Sequence, residues 1–158
     1  MKKLVLIVLF AFAVDSLHAS EGDLRARIRQ MLDLYASKDV SGLTGSLADE
    51  DILLMGSDLR EVCTTREQVG RLLQQDFSQW DSASFGPVGA IFSRNSGDLV
   101  TAFFDVPFTF HKGLHGQTVA LRFATVWRKT SEGLKLVQIM NAVPTGQSSA
   151  NAAPIPEH

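Results

Sequence analysis

The chain has 158 residues, of which 45% are hydrophobic and 20% charged, and its formal net charge is −2. This length allows one domain with its own core, and the composition is that of an ordinary globular protein. Because the sequence has no cluster of basic residues, nucleic acid is not expected as a partner. The single cysteine, Cys63, cannot form an internal disulfide, so the core alone has to stabilise the fold.

The segment 1–19 has the pattern of a secretory signal peptide. Lys2 and Lys3 precede the apolar run 4–14, and SLHA offers a cleavage site after Ala19. The apolar run is shorter than the roughly 20 residues that a membrane-spanning helix needs. The sequence therefore predicts a periplasmic or secreted protein without stable membrane insertion after cleavage. Retention of the segment as an uncleaved anchor is the alternative.

Two helical patterns lie in the first half of the predicted domain, residues 20–144. The first has an apolar stripe at helical spacing, formed by Leu24, Ile28, Met31, Leu32 and Tyr35. The second begins at TREQ, a capping box in which Thr65 caps the helix and Gln68 follows three residues later. Asp76 lies on the apolar stripe of this helix, where a carboxylate is unusual. Asp39 predicts the cap of a short helix between them, and DILLM predicts a strand.

After residue 84 the pattern changes from helices to strands. SFGPVGAIFS reads as one strand interrupted by Gly and Pro, and three longer strands follow: LVTAFFDVPFTF, QTVALRFATVWRK and LKLVQIMNAV. The short connections HKGLHG and TSEG predict an antiparallel meander. Helices followed by a meander predict an α+β domain, with a curved antiparallel sheet packed on the N-terminal helices. Residues 145–158 are small, polar and proline-containing, which predicts a disordered tail.

The two hairpin turns predict a register for the three long strands. A two-residue Gly-Leu turn in HKGLHG pairs Asp105 with Arg122, and a four-residue TSEG loop pairs Arg122 with Asn141. These three polar side chains would form one ladder on the outer face of the sheet, as a structural or interface feature rather than a catalytic one. A single bulge, for example at Pro107, would move Asp105 to the other face.

The opposite face is richer in aromatic residues, so we expect it to pack against the helices. Its predicted members are Phe104, Val106, Phe108, Val119, Leu121, Phe123, Trp127, Leu136 and Met140. Gln138 and Thr125 would lie opposite each other on this inner face. The outer face remains half apolar, a larger patch than monomers usually expose. We predict that a face-to-face homodimer buries this patch, because a two-fold interface places the same patch of two protomers against each other.

The order of these elements resembles the SnoaL-like branch of the NTF2-like superfamily over about residues 21–144. Local matches to the family pattern are MGSDLREV, TREQV, LRFATVWRK and GLKLVQIMNAVP. The resemblance implies a cone-shaped α+β fold with a pocket between the helices and the curved sheet, often dimeric through the outer sheet face. Met140 stands where many relatives have a histidine, which removes an acid–base group from the inner face. Ketosteroid-isomerase relatives use pocket carboxylates and a tyrosine, but no motif match transfers those roles to this chain.

Asp76 is the best catalytic candidate, with Tyr35 as its partner, because a carboxylate among apolar side chains should have a raised pKa. The favoured interpretation is nevertheless structural, with Asp76 capping a neighbouring backbone group or lying at the edge of the stripe, so no catalytic residue is assigned. The residues predicted to bind a ligand are Tyr35, Asp76, Trp80, Phe104, Phe123, Thr125, Gln138 and Met140. His111 and His115 flank a glycine-containing turn, which predicts a solvated loop rather than a metal site. No metal or cofactor is expected.

Three functions are consistent with this sequence. The first is a non-catalytic exported module that binds a small apolar molecule in the cone and forms a homodimer. The second is an isomerase- or lyase-type enzyme that transfers a proton with Asp76 and Tyr35 in the cone pocket. The third is a protein-interaction module of the cell envelope. Because no nucleophile–base pair or phosphate-binding loop is visible, the sequence favours the first.

Overall fold

The computed structural model describes residues 21–56 and 58–144; the predicted signal peptide and the predicted tail lie outside them. The helices are α1 (Glu21–Ala36), α2 (Val40–Gly45) and α3 (Arg66–Phe77). The strands are β1 (Leu53–Met55), β2 (Val62–Cys63), β3 (Ser82–Phe85), β4 (Phe92–Ser96), β5 (Leu99–Lys112), β6 (His115–Thr130) and β7 (Gly133–Ala142).

Both predicted helix caps are confirmed. The Thr65 side chain accepts a hydrogen bond from the Gln68 amide, and the Gln68 side chain accepts one from the Thr65 amide at 3.1 Å. Asp39 caps α2 by accepting a hydrogen bond from the Gly42 amide at 2.8 Å. Within the described ranges, no helix has the length and apolar character needed to cross a membrane.

The strands form one curved sheet in the order β2-β1-β7-β6-β5-β3, with β4 also pairing with β5. The antiparallel meander β5-β6-β7 is confirmed. β1 pairs in parallel with β7, so the sheet is mixed rather than wholly antiparallel. The predicted strand after residue 84 is two strands, β3 and β4, which pair in succession with the same edge of β5, and the predicted interruption by Gly and Pro lies between them. There Gly86 and Gly89 donate their amides to the carbonyls of Pro107 and Asp105.

The predicted register is confirmed for the first hairpin and for part of the second. Asp105 pairs with Arg122 across β5 and β6, as predicted. Between β6 and β7 the predicted register holds from Thr130 to Trp127, which pairs with Leu136. A register shift follows, and β7 has one additional residue, Val137, before the pairing resumes. Val137 is therefore a β-bulge.

This bulge reverses the direction of every later side chain in β7, because successive side chains of a strand point to opposite faces. Gln138 pairs with Val126 instead of Thr125, and both Gln138 and Met140 are exposed. The prediction that these two side chains face inward is therefore wrong. Asn141 pairs with Phe123 instead of Arg122 and faces the interior, so its predicted place in the outer ladder is also wrong.

The inner face of the sheet forms the core together with the helices. Phe104 and Phe123 are buried and stack with ring centroids 5.2 Å apart, and Trp127 is 1% exposed. Arg122 lies on the opposite, solvent-facing side. The predicted division into an aromatic inner face and an outer face carrying the charged pair is confirmed for β5 and β6.

Candidate functional site

A cavity of about 260 Å³ lies between the helices and the inner face of the sheet. We call it the cone cavity. Most of its lining is apolar, from α1, α3 and the long strands, including Met31, Leu72, Leu73, Phe110, Leu121 and Ile139. Its polar side chains are Tyr35, Ser46, Glu61, Asp76 and Asn141. An apolar cavity with a few converging polar groups is the usual form of a small-molecule site.

Tyr35 and Asp76 form the central polar contact of the cone cavity. The Tyr35 hydroxyl donates a hydrogen bond to Asp76 Oδ2, joining the last turn of α1 to the last turn of α3. The Tyr35 ring is enclosed by aromatic rings, with centroids 5.0 Å from Phe77 and 6.0 Å from Trp80. These contacts bring Tyr35, Asp76 and Trp80 together, and the predicted pairing of Asp76 with Tyr35 is confirmed. The enclosing rings restrict the orientation of the tyrosine that holds the carboxylate.

Burial gives this pair unusual proton affinities. Burial raises the pKa of Asp76, the hydrogen bond from Tyr35 lowers it, and the negative charge of Glu61 raises it again. Burial also raises the pKa of Tyr35 well above its usual range, and the charge and hydrogen bond of Asp76 add to this effect. Tyr35 therefore keeps its hydroxyl proton and acts as a hydrogen-bond donor to Asp76. Within this pair, Asp76 is the group with the raised carboxyl pKa, as expected for a carboxylate among apolar side chains.

Glu61 is a cavity residue that sequence reasoning missed. It lies just before β2, and its amide and carbonyl close the β1–β2 hairpin with Asp58 and Gly56. A Cβ on Gly56 would lie only 2.0 Å from Glu61 Oε2, so the glycine makes room for the carboxylate. The sequence MGSDLREV contains both Gly56 and Glu61, but nothing local shows that these two residues line a cavity.

Asn141 is a further polar residue of the cavity lining that was not assigned a role in ligand binding. Its position depends on the bulge at Val137, because the uninterrupted register would place Asn141 outside. Among the described residues, its side chain has no hydrogen-bond partner. The Asn141 amide is therefore free to bond a ligand in the cone cavity.

The other predicted ligand-binding residues lie outside the cavity lining. Trp80 is buried beside Tyr35 but does not line the cavity, and Phe104 and Phe123 are core residues. Thr125 is 2% exposed; its hydroxyl donates to the Ala102 carbonyl at 3.2 Å and accepts from Trp127 Nε1 at 2.9 Å. These hydrogen bonds satisfy the buried hydroxyl within the core.

His111 and His115 lie near the tip of the exposed β5–β6 hairpin, where His115 pairs with Lys112. Among residues 21–56 and 58–144, no three His, Cys, Asp or Glu side chains are grouped so that they could hold a metal ion. Asp81 ties this turn to the body by accepting a hydrogen bond from the Gly113 amide at 2.7 Å. This hydrogen bond holds the hairpin turn against the rest of the domain.

A second feature is a continuous row of apolar side chains on the outer face of the sheet. Register pairs connect Phe92, Phe103, Ala124, Met140, Met55 and Val62 across six strands. We call this set the outer row. Phe92 is 71% exposed and Phe103 is 53% exposed. Directly opposed residues share one face, so the outer row forms a single apolar band.

A charged pair lies next to the outer row. Arg122 and Asp105 form a two-pronged salt bridge with both N–O distances at 2.8 Å. The hydrogen bonds from Arg122 lower the pKa of Asp105. Both side chains remain about half exposed, so the pair contributes little to stability by itself.

Comparisons with known proteins agree with this architecture. The family model described as SnoaL-like domain matches residues 24–146. Among curated proteins, no sequence matches this chain. Solved structures of low sequence identity share the fold.

One of these is an NTF2-like protein with a cystatin-like fold from Novosphingobium aromaticivorans, 19% identical, with a TM-score of 0.67 over 82% of this chain and 84% of that one. A candidate dehydratase of the NTF2-like family from Streptomyces avermitilis is 13% identical, with a TM-score of 0.70 over 79% and 96%. A candidate scytalone dehydratase from Novosphingobium aromaticivorans is 14% identical, with a TM-score of 0.65 over 80% and 95%. At these identities the likeness establishes the fold alone.

Proposed function

Because the chain belongs to the SnoaL-like domain family and has an NTF2-like α+β fold, we propose that it binds a small apolar molecule in the cone cavity. The observation that carries this proposal is the cavity itself, with apolar walls and a few polar groups at fixed positions. A core meant only for stability would be filled by side chains, because protein interiors are packed as densely as organic crystals.

The same proposal includes a homodimer formed through the outer row. The row presents two exposed phenylalanines and two exposed methionines on a broad sheet face. Burial of apolar surface contributes roughly 25 cal/mol per Å², so covering such a band favours association. A two-fold axis through the sheet face would place the outer row of one protomer on that of the other.

Export to the periplasm or the medium completes the proposed function. It is supported by the signal pattern of residues 1–19, in which two lysines precede an apolar run. The ligand would then be met outside the cytoplasm. Detection of the chain, shortened at Ala19, in the periplasmic or culture fraction would test this part of the proposal.

Ligand binding is tested with a neutral apolar probe, 1-hexanol, by isothermal titration. We expect saturable binding to the purified protein. Leu121→Trp should fill the cavity and weaken hexanol binding by about tenfold or more. Leu114→Trp is the matched control, because Leu114 is fully exposed at the hairpin tip. Equal binding by the Leu121→Trp variant would contradict the proposal, and so would the absence of saturable binding of every six-carbon probe, whether neutral or charged.

A second candidate function is proton transfer at a carbon next to a carbonyl. The hydrogen bond between Tyr35 and Asp76 at the cavity wall favours it, because burial poises Asp76 to exchange a proton. In this reaction the Asp76 carboxylate takes the proton from the α-carbon and returns it to the same or a neighbouring carbon. Two of the solved structures with this fold are candidate dehydratases.

Deuterium exchange into cyclohexanone in D₂O, followed by NMR, tests this second function. The wild-type protein should accelerate exchange at the α-carbon, and Asp76→Asn should abolish the acceleration. Asp33→Asn is the matched control, because Asp33 lies on the exposed side of α1. Exchange that continues unchanged in the Asp76→Asn variant would remove this function.

A further inference from the structure

The polar groups of the cone cavity carry only negative charge. Asp76 and Glu61 both line it, and none of the described lining residues is a lysine, arginine or histidine. The two carboxylates also interact electrostatically, because the negative charge of Glu61 raises the pKa of Asp76 and of its partner Tyr35. A ligand that fills this cavity therefore meets two carboxyl groups without a protein cation between them.

The cavity also has more hydrogen-bond acceptors than donors. The hydroxyl protons of Tyr35 and Ser46 are already used, by Asp76 and by the Leu43 carbonyl at 2.7 Å. Asp76 Oδ1 and Glu61 Oε1 have no hydrogen-bond partner among the described residues, because Tyr35 donates to Asp76 Oδ2 and the Asp58 amide donates to Glu61 Oε2. Asn141 supplies the free N–H donors of the lining, and it offers an acceptor as well. A complementary ligand must donate hydrogen bonds.

We infer that the cone cavity binds an apolar amine. Its ammonium group lies between Asp76 and Glu61, and its hydrocarbon part packs against the apolar walls of the cavity. This inference rests on the proposed ligand-binding function and specifies its ligand class. An ammonium supplies the positive charge that the lining lacks and N–H donors for the free carboxylate oxygens of Asp76 and Glu61.

The alternatives fit this cavity less well. A carboxylate or phosphate ligand would bring like charge beside two carboxylates in a partly buried site, which costs binding free energy. A neutral alcohol can donate one hydrogen bond but leaves the two charges uncompensated. The Tyr35 ring, which forms part of the same wall, adds a weak attraction for a cation.

Three probes of equal chain length separate these classes: 1-hexylamine, 1-hexanol and hexanoate, each titrated at pH 7 and low salt. We expect hexylamine to bind at least about tenfold more tightly than hexanol, because hydrogen bonds to charged groups are the stronger ones. Hexanoate should bind more weakly than both. Hexanol binding equal to or tighter than hexylamine binding would overturn the inference and leave the proposed ligand-binding function intact. If none of the three probes binds, the proposed function itself fails.

Variants show whether the preference comes from the cavity or from the acidic surface in general. Asp76→Asn and Glu61→Gln should each reduce hexylamine affinity by roughly tenfold. Asp33→Asn, which makes the same change of net charge on the exposed side of α1, should leave it unchanged. An amine preference that survives the double variant Asp76→Asn, Glu61→Gln would contradict the inference. So would an equal loss of affinity in the Asp33→Asn variant.

Discussion

The Tyr35 hydroxyl donates its hydrogen bond to Asp76 Oδ2 across the gap between α1 and α3. The tyrosine is held by aromatic rings from α3 and the sheet, among them Phe77 and Phe108. The carboxylate lies on the apolar side of its helix, where its charge is poorly hydrated. This polar contact lies in the wall of a mostly apolar cavity, so we expect it to affect both stability and function.

Asp76 should make the protein less stable as the pH rises. Burial raises its pKa in the folded state above the ordinary value of 3.8, so the folded protein binds this proton more tightly than the unfolded chain. The stabilisation is complete below the unfolded pKa and is lost as the pH rises through the folded pKa. Asp76→Asn should therefore be more stable than wild type at pH 8, and this difference should shrink towards pH 4. Urea unfolding at a series of pH values measures it.

Asp105 provides the control of opposite sign for this pH series. Its pKa is lowered by the hydrogen bonds from Arg122, so its contribution to stability is present at neutral pH and is lost as the pH falls. Asp105→Asn should be less stable than wild type at pH 8, with the difference vanishing in acid. The same sign for both variants would contradict the assignment of the Asp76 environment.

The outer row should control association. Phe103→Glu places a charge within the apolar row of the proposed dimer interface, so we expect it to weaken the dimer by roughly 30-fold or more, equivalent to about 2 kcal/mol. Sedimentation equilibrium measures the change. Leu114→Glu is the matched control, because Leu114 is exposed at the hairpin tip, away from the sheet face. A monomeric wild-type protein would contradict the dimer and favour another exported protein as the cover of this face.

The bulge in β7 predicts opposite behaviour for two amides of one strand. Asn141→Ala removes the free amide from the cone cavity and should weaken hexanol binding by about threefold to tenfold. Gln138→Ala removes an amide from the exposed outer face and should leave binding unchanged. Isothermal titration of both variants provides the comparison. A larger effect at Gln138 would mean that the register shift is absent in solution.

Lys38 should stabilise the end of α3. Its ammonium donates hydrogen bonds to the carbonyls of Phe77 at 2.9 Å and Trp80 at 2.5 Å, and it lies 4.2 Å from the centroid of the Trp80 ring. Lys38→Met keeps most of the hydrocarbon chain but loses these contacts, so unfolding free energy should fall by about 2 kcal/mol. Lys112→Met, at the exposed hairpin, should change it by less than about 0.5 kcal/mol. Equal effects would show that the contacts of Lys38 contribute nothing specific.

Local sequence determined much of this fold. The capping box at Thr65 and the cap at Asp39 mark helix starts through contacts within three residues. The Gly-Leu turn fixed the pairing of Asp105 with Arg122, because a short turn leaves a hairpin only one register. The apolar stripe of α1 also placed Tyr35 on the side that faces the core. These features were predictable because each depends on neighbours in the chain.

The cavity depended on contacts between distant segments. Up to Leu136, β7 pairs on its free edge with the chain after α2: the Leu136 amide donates to the Ser46 carbonyl, and the Ala48 amide donates to the Leu136 carbonyl. From Gln138 onward the same edge pairs with β1. Val137 lies at this change of partner, and the bulge there turns Asn141 into the cavity. The alternation of apolar and polar residues within β7 does not show where its pairing partner changes. Only the tertiary structure could therefore determine the position of the bulge.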